Sequence, residues 1–223
     1  MVWNSFWAEN KKEIDKNAKR FMAIDKENHV CLRINGWKKE EDHAYVETQV
    51  HPKDPNLGTR LVRLSSDVII ESADTEGIEV GENIVLLRWG VVNITKVEGG
   101  LEGIYVPDGD FKAAKRKLSW LAKVPNTTPT VLTEFDNLIS KEKLEEDDKF
   151  EDFINPNTLA ITRAVGDAGL KSLVKDDVIQ LERRGYYRVD RPFISNEKPL
   201  VLYMVPDGKS KAMSGLAGKL AHR

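Results

Sequence analysis

The sequence has a single cysteine, Cys31, among its 223 residues. It therefore excludes an intramolecular disulfide and a cysteine-rich zinc site. No apolar run approaches the roughly 20 residues that a membrane-spanning helix needs. The opening MVWNSFWAENKK has charged residues where a signal peptide has its apolar region. Together these absences predict a soluble, untargeted chain of the reducing cytoplasm that has no membrane partner.

The sequence also lacks a recognisable catalytic constellation. Gly208-Lys209-Ser210 resembles the end of a phosphate-binding loop, but the glycine required five positions earlier is Tyr203. The acidic segment described below lacks the alternating Asp/Asn and Gly of a calcium loop. The four histidines are scattered without the spacing of a metal pair, which predicts surface positions: His29, His43, His51 and His222. These observations predict a binding protein with no catalytic residue, metal or cofactor of its own.

One strong helical pattern is present, and it lies at the start of the chain. Aromatic and apolar residues follow the spacing i, i+3, i+4 and i+11, with Asn10 at i+7: Trp3, Phe6, Trp7 and Ile14. The spacing predicts an amphipathic helix from residue 4 to about 18.

Beyond this helix, short β-type runs alternate with turn residues. Gly99-Gly100 and Arg184-Gly185 are the clearest hairpin turns. Many short strands separated by Gly, Pro, Asn and Asp are typical of barrels or sandwiches and not of parallel α/β units. The sequence therefore predicts a mainly β fold, with a second helix in the acidic stretch 138–153. The predicted strand runs are 30–34, 44–50, 61–64, 67–72, 83–97, 103–106, 119–124, 130–135, 159–165, 177–190 and 199–205.

The net charge of -2 hides an uneven distribution. Residues 134–152 have nine acids and three lysines, a net charge of -6. Residues 175–223 have ten bases and six acids (+4), and residues 1–40 have nine bases and six acids (+3). If the two basic regions are neighbours in space, they form a polyanion-binding face that includes Trp and Tyr, as in proteins that bind RNA loops. The alternative is that these lysines only solvate the surface.

Several segments, in family order over nearly the whole chain, resemble the C-terminal anticodon-binding region of archaeal/eukaryotic-type glutamyl-tRNA synthetase, in the class I glutamyl/glutaminyl group. The segments LLRWG and VLYMVPDGKSKAM resemble the glutamate branch. The segments are WNSFWAENKKEIDKNAKRFMAI (3–24), VHPKDPNLGTR (50–60), VGENIVLLRWG (80–90), FINPNTLAI (153–161), VIQLERRGYYRVDRP (178–192) and VPDGKSKAM (205–213).

The resemblance implies two β-barrels of the ribosomal protein L25-like type, one inserted into the other. It places a connecting helical segment at residues 1–23 and a proximal barrel in residues 24–73 and 137–223. A distal barrel would occupy residues 74–136. The family's catalytic domain and its two class I motifs are absent from this sequence.

The resemblance also implies seven contacts to the tRNA anticodon. They are Arg20, Pro52, Lys53, Arg88, Trp89, Gln180 and Arg183. Arginine and glutamine suit this role, because a planar fork or an amide can pair twice with the Watson–Crick edge of an unstacked base.

Some of these positions differ from the family pattern or allow a second role. Arg88 stands where the family pattern has Asn or Asp, on a run that predicts a strand. Trp89 and Tyr186 could stack on bases, or they could equally pack in the interior or across a hairpin. Strict alternation places Gln180 and Arg183 on opposite faces of a strand, so a turn or bulge would have to re-aim one of them.

The resemblance implies that a full-length parent protein is an ATP- and Mg-dependent glutamate-tRNA ligase, and that this fragment recognises the anticodon loop of tRNA. The alternatives are the corresponding region of a glutaminyl-tRNA synthetase, an L25-like binder of ribosomal RNA, and a scaffold that docks other synthetases in a complex.

Overall fold

The computed structural model describes residues 3–37, 44–141 and 143–207. In these residues one α-helix, α1 (Trp3–Asn17), precedes sixteen strands, so the fold is mainly β as predicted. In chain order the strands are β1 (Lys19–Phe21), β2 (Ala23–Asp25), β3 (His29–Asn35), β4 (Tyr45–Gln49), β5 (Thr59–Arg63), β6 (Asp67–Glu71), β7 (Asn83–Leu86), β8 (Gly90–Lys96), β9 (Leu101–Val106), β10 (Arg116–Leu118), β11 (Trp120–Ala122), β12 (Thr128–Phe135), β13 (Leu159–Gly166), β14 (Val178–Leu181), β15 (Gly185–Arg191) and β16 (Leu200–Val205).

Helix α1 confirms the predicted N-terminal helix. Its exposed side has two ion pairs at i,i+3 spacing, Glu9 with Lys12 and Glu13 with Lys16. Such pairs stabilise a helix by a few tenths of a kcal/mol each, about 0.2–0.5 kcal/mol. The helix ends directly before β1, where the buried Ala18 donates its amide hydrogen to the carbonyl of Ile14.

The first sheet has seven strands in the order β1-β14-β15-β16-β12-β13-β2. Its two edge strands, β1 and β2, are separated in the chain only by Met22. Because the edges of the sheet are one residue apart, the sheet curls until it is nearly closed, which gives it a barrel-like shape. The inward-facing residues form one core, with members from β12, β15 and β16 such as Leu132, Tyr187 and Leu202.

The second sheet also has seven strands, in the order β10-β7-β8-β9-β3-β6-β11. Its edge strands β10 and β11 are separated only by Ser119. Its core includes the fully buried Trp120. The same core includes Met22, which links β1 and β2, and Ile24 of β2. A separate two-stranded hairpin, β4–β5, packs beside this core through Val46 and Val62.

The strands divide between the sheets at different positions from the predicted domain limits. β3 and β6 belong to the second sheet although they precede residue 74, and β12 belongs to the first sheet although it precedes residue 137. The reason is pairing: β3 pairs with both β6 and β9. The sheet to which a strand belongs does not by itself define a domain boundary. The domain limits at residues 74 and 136 therefore stay a prediction.

The predicted helix at 138–153 is wrong. In its described part the chain has an isolated bridge between Ile139 and Ile154, and only Phe150–Phe153 forms a 3-10 turn. The carboxylate of Asp148 accepts a hydrogen bond from the amide of Glu145 over 2.6 Å. Such side-chain bonds to the backbone compete with helix formation, and the adjacent like charges oppose it as well.

A buried ion pair joins the β4–β5 hairpin to the first sheet. Arg60 donates to Asp167 over 2.9 Å, and both side chains are about nine-tenths buried. Asp167 also accepts from the amides of Met22 and Gly169, which fixes the link between β1 and β2. The 3-10 turns at Pro55–Leu57, Ser72–Thr75 and Ala168–Ser172 complete the described structure. None of the described helices is both long enough and apolar enough to cross a bilayer.

Candidate nucleic-acid interface

Three of the seven predicted contact residues meet at the end of helix α1. The carboxylate of Asp15 accepts hydrogen bonds from Tyr186 Oη at 2.5 Å, from Arg20 Nη2 at 3.1 Å and from Lys53 Nζ at 3.3 Å. Gln180 lies beside them on β14. We call these five residues the Asp15 cluster.

The pairing of short strands assembles the Asp15 cluster. β1 and β14 run parallel with Arg20 opposite Gln180, and β14 and β15 run antiparallel with Gln180 opposite Tyr186. Three side chains from distant parts of the chain are thereby aligned across three neighbouring strands.

The loop that includes Pro52 and Lys53 is held against the same helix end. The amide of Arg20 donates to the carbonyl of Val50 over 2.8 Å, and His51 Nε2 donates to the carbonyl of Asp15 over 2.7 Å. His51 is buried, with 2% of its surface exposed, so its predicted surface position is wrong. Its imidazole instead orients the loop, while Pro52 and Lys53 remain exposed.

Two polar atoms in the Asp15 cluster are inaccessible to solvent and have no hydrogen-bond partner among the described residues. They are Nε of Arg20, a donor, and Oε1 of Gln180, an acceptor. A buried polar group without a partner is costly. A ligand could satisfy these two atoms only if neighbouring side chains move, since neither atom is exposed in this conformation.

The charges in the cluster support one another. The hydrogen bond from Tyr186 lowers the pKa of Asp15, and burial opposes it; Lys53 and Arg20 also lower it. Burial, followed by the nearby Asp15 carboxylate, raises the pKa of Tyr186. Asp15 is therefore ionised and Tyr186 protonated near neutral pH, which keeps the hydrogen bond between them intact.

The β14–β15 turn explains how Gln180 and Arg183 can both be available. β14 ends at Leu181, and Arg183 follows in the left-handed region with φ 67°. Glu182 is buried and Arg183 is exposed. The turn, and not a bulge in the strand, re-aims Arg183.

Two arginines of this turn are paired with carboxylates near the second sheet. Arg183 donates through both terminal nitrogens to Asp74, with Nη2 to Oδ1 at 2.6 Å. Arg184 donates to Glu71 over 2.5 Å. The Asp74 hydrogen bond raises the pKa of Arg183. These pairs attach the hairpin turn of the first sheet to the second sheet.

Arg88 and Trp89 occupy the β7–β8 turn, not a strand as predicted. The single run 83–97 divides because Arg88 adopts φ 70° and Gly90 begins the next strand. The guanidinium of Arg88 donates to one carboxylate oxygen of Glu182, at 3.1 Å from Nε and 2.5 Å from Nη2. Arg88 thus contacts the β14–β15 turn directly.

The ring of Trp89 is partly buried in an aromatic cluster. Its centroid lies 5.1 Å from that of Trp37, 6.0 Å from Tyr105 and 4.8 Å from Trp120. Tyr186 is 2% exposed, so its ring cannot receive a stacked base in this conformation. For both residues the structure shows the packing role that the sequence left open.

The family resemblance indicated the basic and amide residues but not the carboxylates that accept their hydrogen bonds. Asp15, Asp74 and Glu182 each accept from one of the three predicted arginines. Their partners lie 5 to 109 positions away in the chain, and no short spacing indicates such pairs. Among the described residues, no three His, Cys, Asp or Glu side chains are arranged to hold a metal ion; His43 and His222 lie outside them.

Comparison with known proteins adds a family to this geometry. Two family models with the same description, "tRNA synthetases class I (E and Q), anti-codon binding domain", match residues 18–107 and 117–190. The chain is 40% identical over 212 residues to a protein named glutamate–tRNA ligase, cytoplasmic, of Saccharomyces cerevisiae, and 39% identical over 217 residues to the protein of the same name from Arabidopsis thaliana. Each match covers 94% of this chain and 30% of the relative.

A bifunctional glutamate/proline–tRNA ligase of Drosophila melanogaster is 36% identical over 228 residues. That match covers 95% of this chain and 13% of the relative. The chain therefore spans about 30% of the length of the single-function relatives and less of the bifunctional one.

Proposed function

Because the chain belongs to the anticodon-binding family of class I tRNA synthetases for glutamate and glutamine, we propose that it recognises the anticodon loop of glutamate tRNA. The observation that carries the proposal is the Asp15 cluster. In it, Arg20 and Gln180 lie opposite each other on paired strands, and each has a buried polar atom without a partner. A fork of donors beside an amide suits the edge of an unstacked base.

We propose that this chain is part of a longer protein, and that the chemistry is carried out by a part that lies outside this sequence. We propose that this longer protein is a glutamate–tRNA ligase that joins glutamate to tRNA in the cytoplasm, since the relatives are named cytoplasmic glutamate–tRNA ligases. We also propose that it uses ATP and Mg²⁺ for this reaction, as the family resemblance implies. The present chain would contribute binding energy from a remote part of the tRNA, which can orient the substrate and so affect turnover as well as affinity.

The proposed interface has two parts, and the second lies where the two sheets meet. Arg20, Gln180 and the exposed Pro52 and Lys53 form its first part, around the Asp15 cluster. The β14–β15 turn with Arg183, and the β7–β8 turn with Arg88 and Trp89, form the second part. The hydrogen bond of Arg88 to Glu182 connects the two turns. We also propose the sheets as the two barrels of the family, one interrupting the other.

The test is binding of this chain to tRNA transcripts, measured by fluorescence anisotropy at several salt concentrations. Glutamate tRNA should bind at least about fivefold more tightly than the same tRNA with a substituted anticodon, since each base mismatch costs about 1–3 kcal/mol. Equal affinity for the two would overturn the proposal.

The same assay separates the alternatives. Preference for glutamine tRNA would assign the chain to the glutaminyl enzyme, and preference for 5S ribosomal RNA would make it an L25-like binder. Binding of another synthetase without salt-dependent tRNA binding would indicate a scaffold, since phosphate contacts make RNA affinity fall steeply with salt.

A further inference from the structure

The carboxylate of Asp74 accepts hydrogen bonds from Arg183, one of the residues that we propose to contact RNA. Both terminal nitrogens of Arg183 donate to its carboxylate, one to each oxygen. We propose that Asp74 is a specificity-determining residue, which competes with RNA for Arg183 and so disfavours RNA that offers only phosphates. The inference rests on the proposed function and deepens it.

The geometry makes the competition direct. An arginine that reads a base in two places uses the same parallel N–H donors that a carboxylate accepts. While Asp74 holds both terminal nitrogens of Arg183, this end-on fork cannot contact a base. A base contact through both terminal nitrogens therefore requires Arg183 to leave Asp74.

Of the three arginine–carboxylate pairs that involve the two turns, this one is the most exchangeable. The side chain of Arg183 is 39% exposed, against 18% for Arg88 and 23% for Arg184. Arg88 pairs with Glu182, which is itself buried. Exposed ion pairs contribute little, whereas breaking a buried pair leaves an uncompensated charge. Arg183 is therefore the arginine of the three that changes partner most readily, while Asp74, whose side chain is 15% exposed, loses its ion-pair partner when Arg183 leaves.

Asp74 stays in place when Arg183 leaves. It belongs to the 3-10 turn Ser72–Thr75, in which Thr75 Oγ1 donates to the carbonyl of Ser72 over 2.7 Å. The carbonyl of Asp74 accepts from Arg116 Nη1 over 3.3 Å, so a second arginine holds its backbone. The carboxylate consequently remains beside the released guanidinium.

The retained carboxylate discriminates between ligands of different charge. A phosphate that approaches Arg183 meets the negative charge of Asp74, whereas the edge of a base offers acceptors without a net charge. Asp74 should therefore weaken binding through phosphates more than binding through a base. Its removal should increase affinity and reduce the preference for the cognate anticodon.

The experiment compares Asp74→Asn, Arg183→Ala and the double variant in this chain, with glutamate tRNA and its anticodon-substituted form as probes. Asp74→Asn should strengthen binding of the substituted tRNA about two- to fivefold, the upper part of the range of an exposed ion pair because Asp74 is only 15% exposed, and that of glutamate tRNA less. In the Arg183→Ala background the same change should have a smaller effect on both RNAs. Asp74→Ser repeats the test with a different turn-compatible residue.

Asp176→Asn is the matched control. It removes one negative charge from another arginine–carboxylate pair, that of Asp176 with Arg188, in which both side chains are 56% exposed. It should change the ratio of the two affinities less than Asp74→Asn does.

Weaker binding of both RNAs by Asp74→Asn would overturn the inference, because Asp74 would then position Arg183 for RNA binding. An unchanged ratio of the two affinities would also overturn it, because Asp74 would then have no effect on specificity. If the wild-type chain does not distinguish the two tRNAs, the proposed function itself fails. If the wild-type chain does prefer glutamate tRNA and Asp74→Asn leaves that preference intact, only the inference about Asp74 fails.

Discussion

The hydroxyl of Tyr186 donates to the carboxylate of Asp15 over 2.5 Å and joins the last turn of helix α1 to strand β15. Tyr186→Phe keeps the buried ring and removes only this bond. A hydrogen bond to a charged group contributes about 1.5–3 kcal/mol, so the free energy of unfolding should fall by about that amount in urea denaturation. Tyr203→Phe, at a tyrosine that is 37% exposed, is the control and should have little effect. Equal losses in both variants would contradict the assignment.

Stability at acid pH should depend on Asp15. Its pKa is lower in the folded chain than its ordinary value of 3.8, chiefly through Tyr186 and against the effect of burial. The unfolded chain therefore binds the proton more readily, and the stabilisation is present above pH 3.8 and is lost as pH falls through the folded pKa. Asp15→Asn should be less stable at pH 7 and should lose less further stability between about pH 5 and pH 3.

Urea midpoints measured from pH 7 to pH 3 test this difference. The side chains that face the carboxylate are those of Arg20, Lys53 and Tyr186. Glu13→Gln, on the exposed side of α1, serves as control and should follow the wild-type curve. Parallel curves for Asp15→Asn and the wild type would exclude the role of Asp15 in acid unfolding.

Truncation of Trp89 should lower the stability of the fold. Its ring packs against Trp37, Tyr105 and Trp120, and truncation of a buried aromatic residue to alanine costs about 3–5 kcal/mol. Because Trp89 is only partly buried, the loss for Trp89→Ala should lie at the lower end, and Trp89→Phe should lose less. A thermal melt gives the result. Unchanged stability with weaker tRNA binding would instead assign the ring to base stacking.

Arg20→Ala and Arg183→Ala should lower kcat/KM for glutamylation in the proposed full-length ligase. Each removes a fork of donors, and a lost bidentate base contact corresponds to about 1–3 kcal/mol. Arg33→Ala is the control, because Arg33 is an exposed arginine paired with Asp67 away from the two turns. If neither variant differs from the wild type in steady-state kinetics with glutamate tRNA, the site assignment fails.

Asp167 should be among the most sensitive polar positions. Replacing it with alanine leaves the buried Arg60 without its carboxylate and the amides of Met22 and Gly169 without an acceptor. Breaking such a pair costs about 3–5 kcal/mol. Arg60→Met, combined with Asp167→Leu, should recover part of this loss in urea denaturation, since an apolar pair leaves no buried charge. A double variant as unstable as Asp167→Ala would argue against this explanation.

The local elements were predictable because their signals are local. Alternation in the run 130–135 and the glycine after Arg184 predict a strand and a hairpin turn, and both are present. The β7–β8 turn was missed, since Arg88 adopts a positive φ without a glycine at that position. The predicted helix in the acidic stretch failed because local side-chain bonds and charge repulsion outweigh its weak apolar spacing.

The candidate interface was only half predictable. Base recognition favours particular residue types, so Arg20 and Gln180 could be proposed from the family resemblance. Their alignment arises from the parallel pairing of β1 with β14, which joins strands about 160 residues apart. The carboxylates of Asp15 and Asp74 come from a helix end and a 3-10 turn, and their partners are fixed by the assembled fold and not by sequence spacing.

The order of the strands also governs when the interface can form during synthesis on the ribosome. All strands of the second sheet lie between His29 and Ala122, so its pairing partners are complete before β12 has been translated. The first sheet needs β1 and β2 from the start of the chain and β16, which ends at Val205. Domains generally fold as units once their residues have emerged. Arg20 must therefore wait for Gln180, and the proposed RNA-binding surface forms only after β14 and its partner strands have been translated.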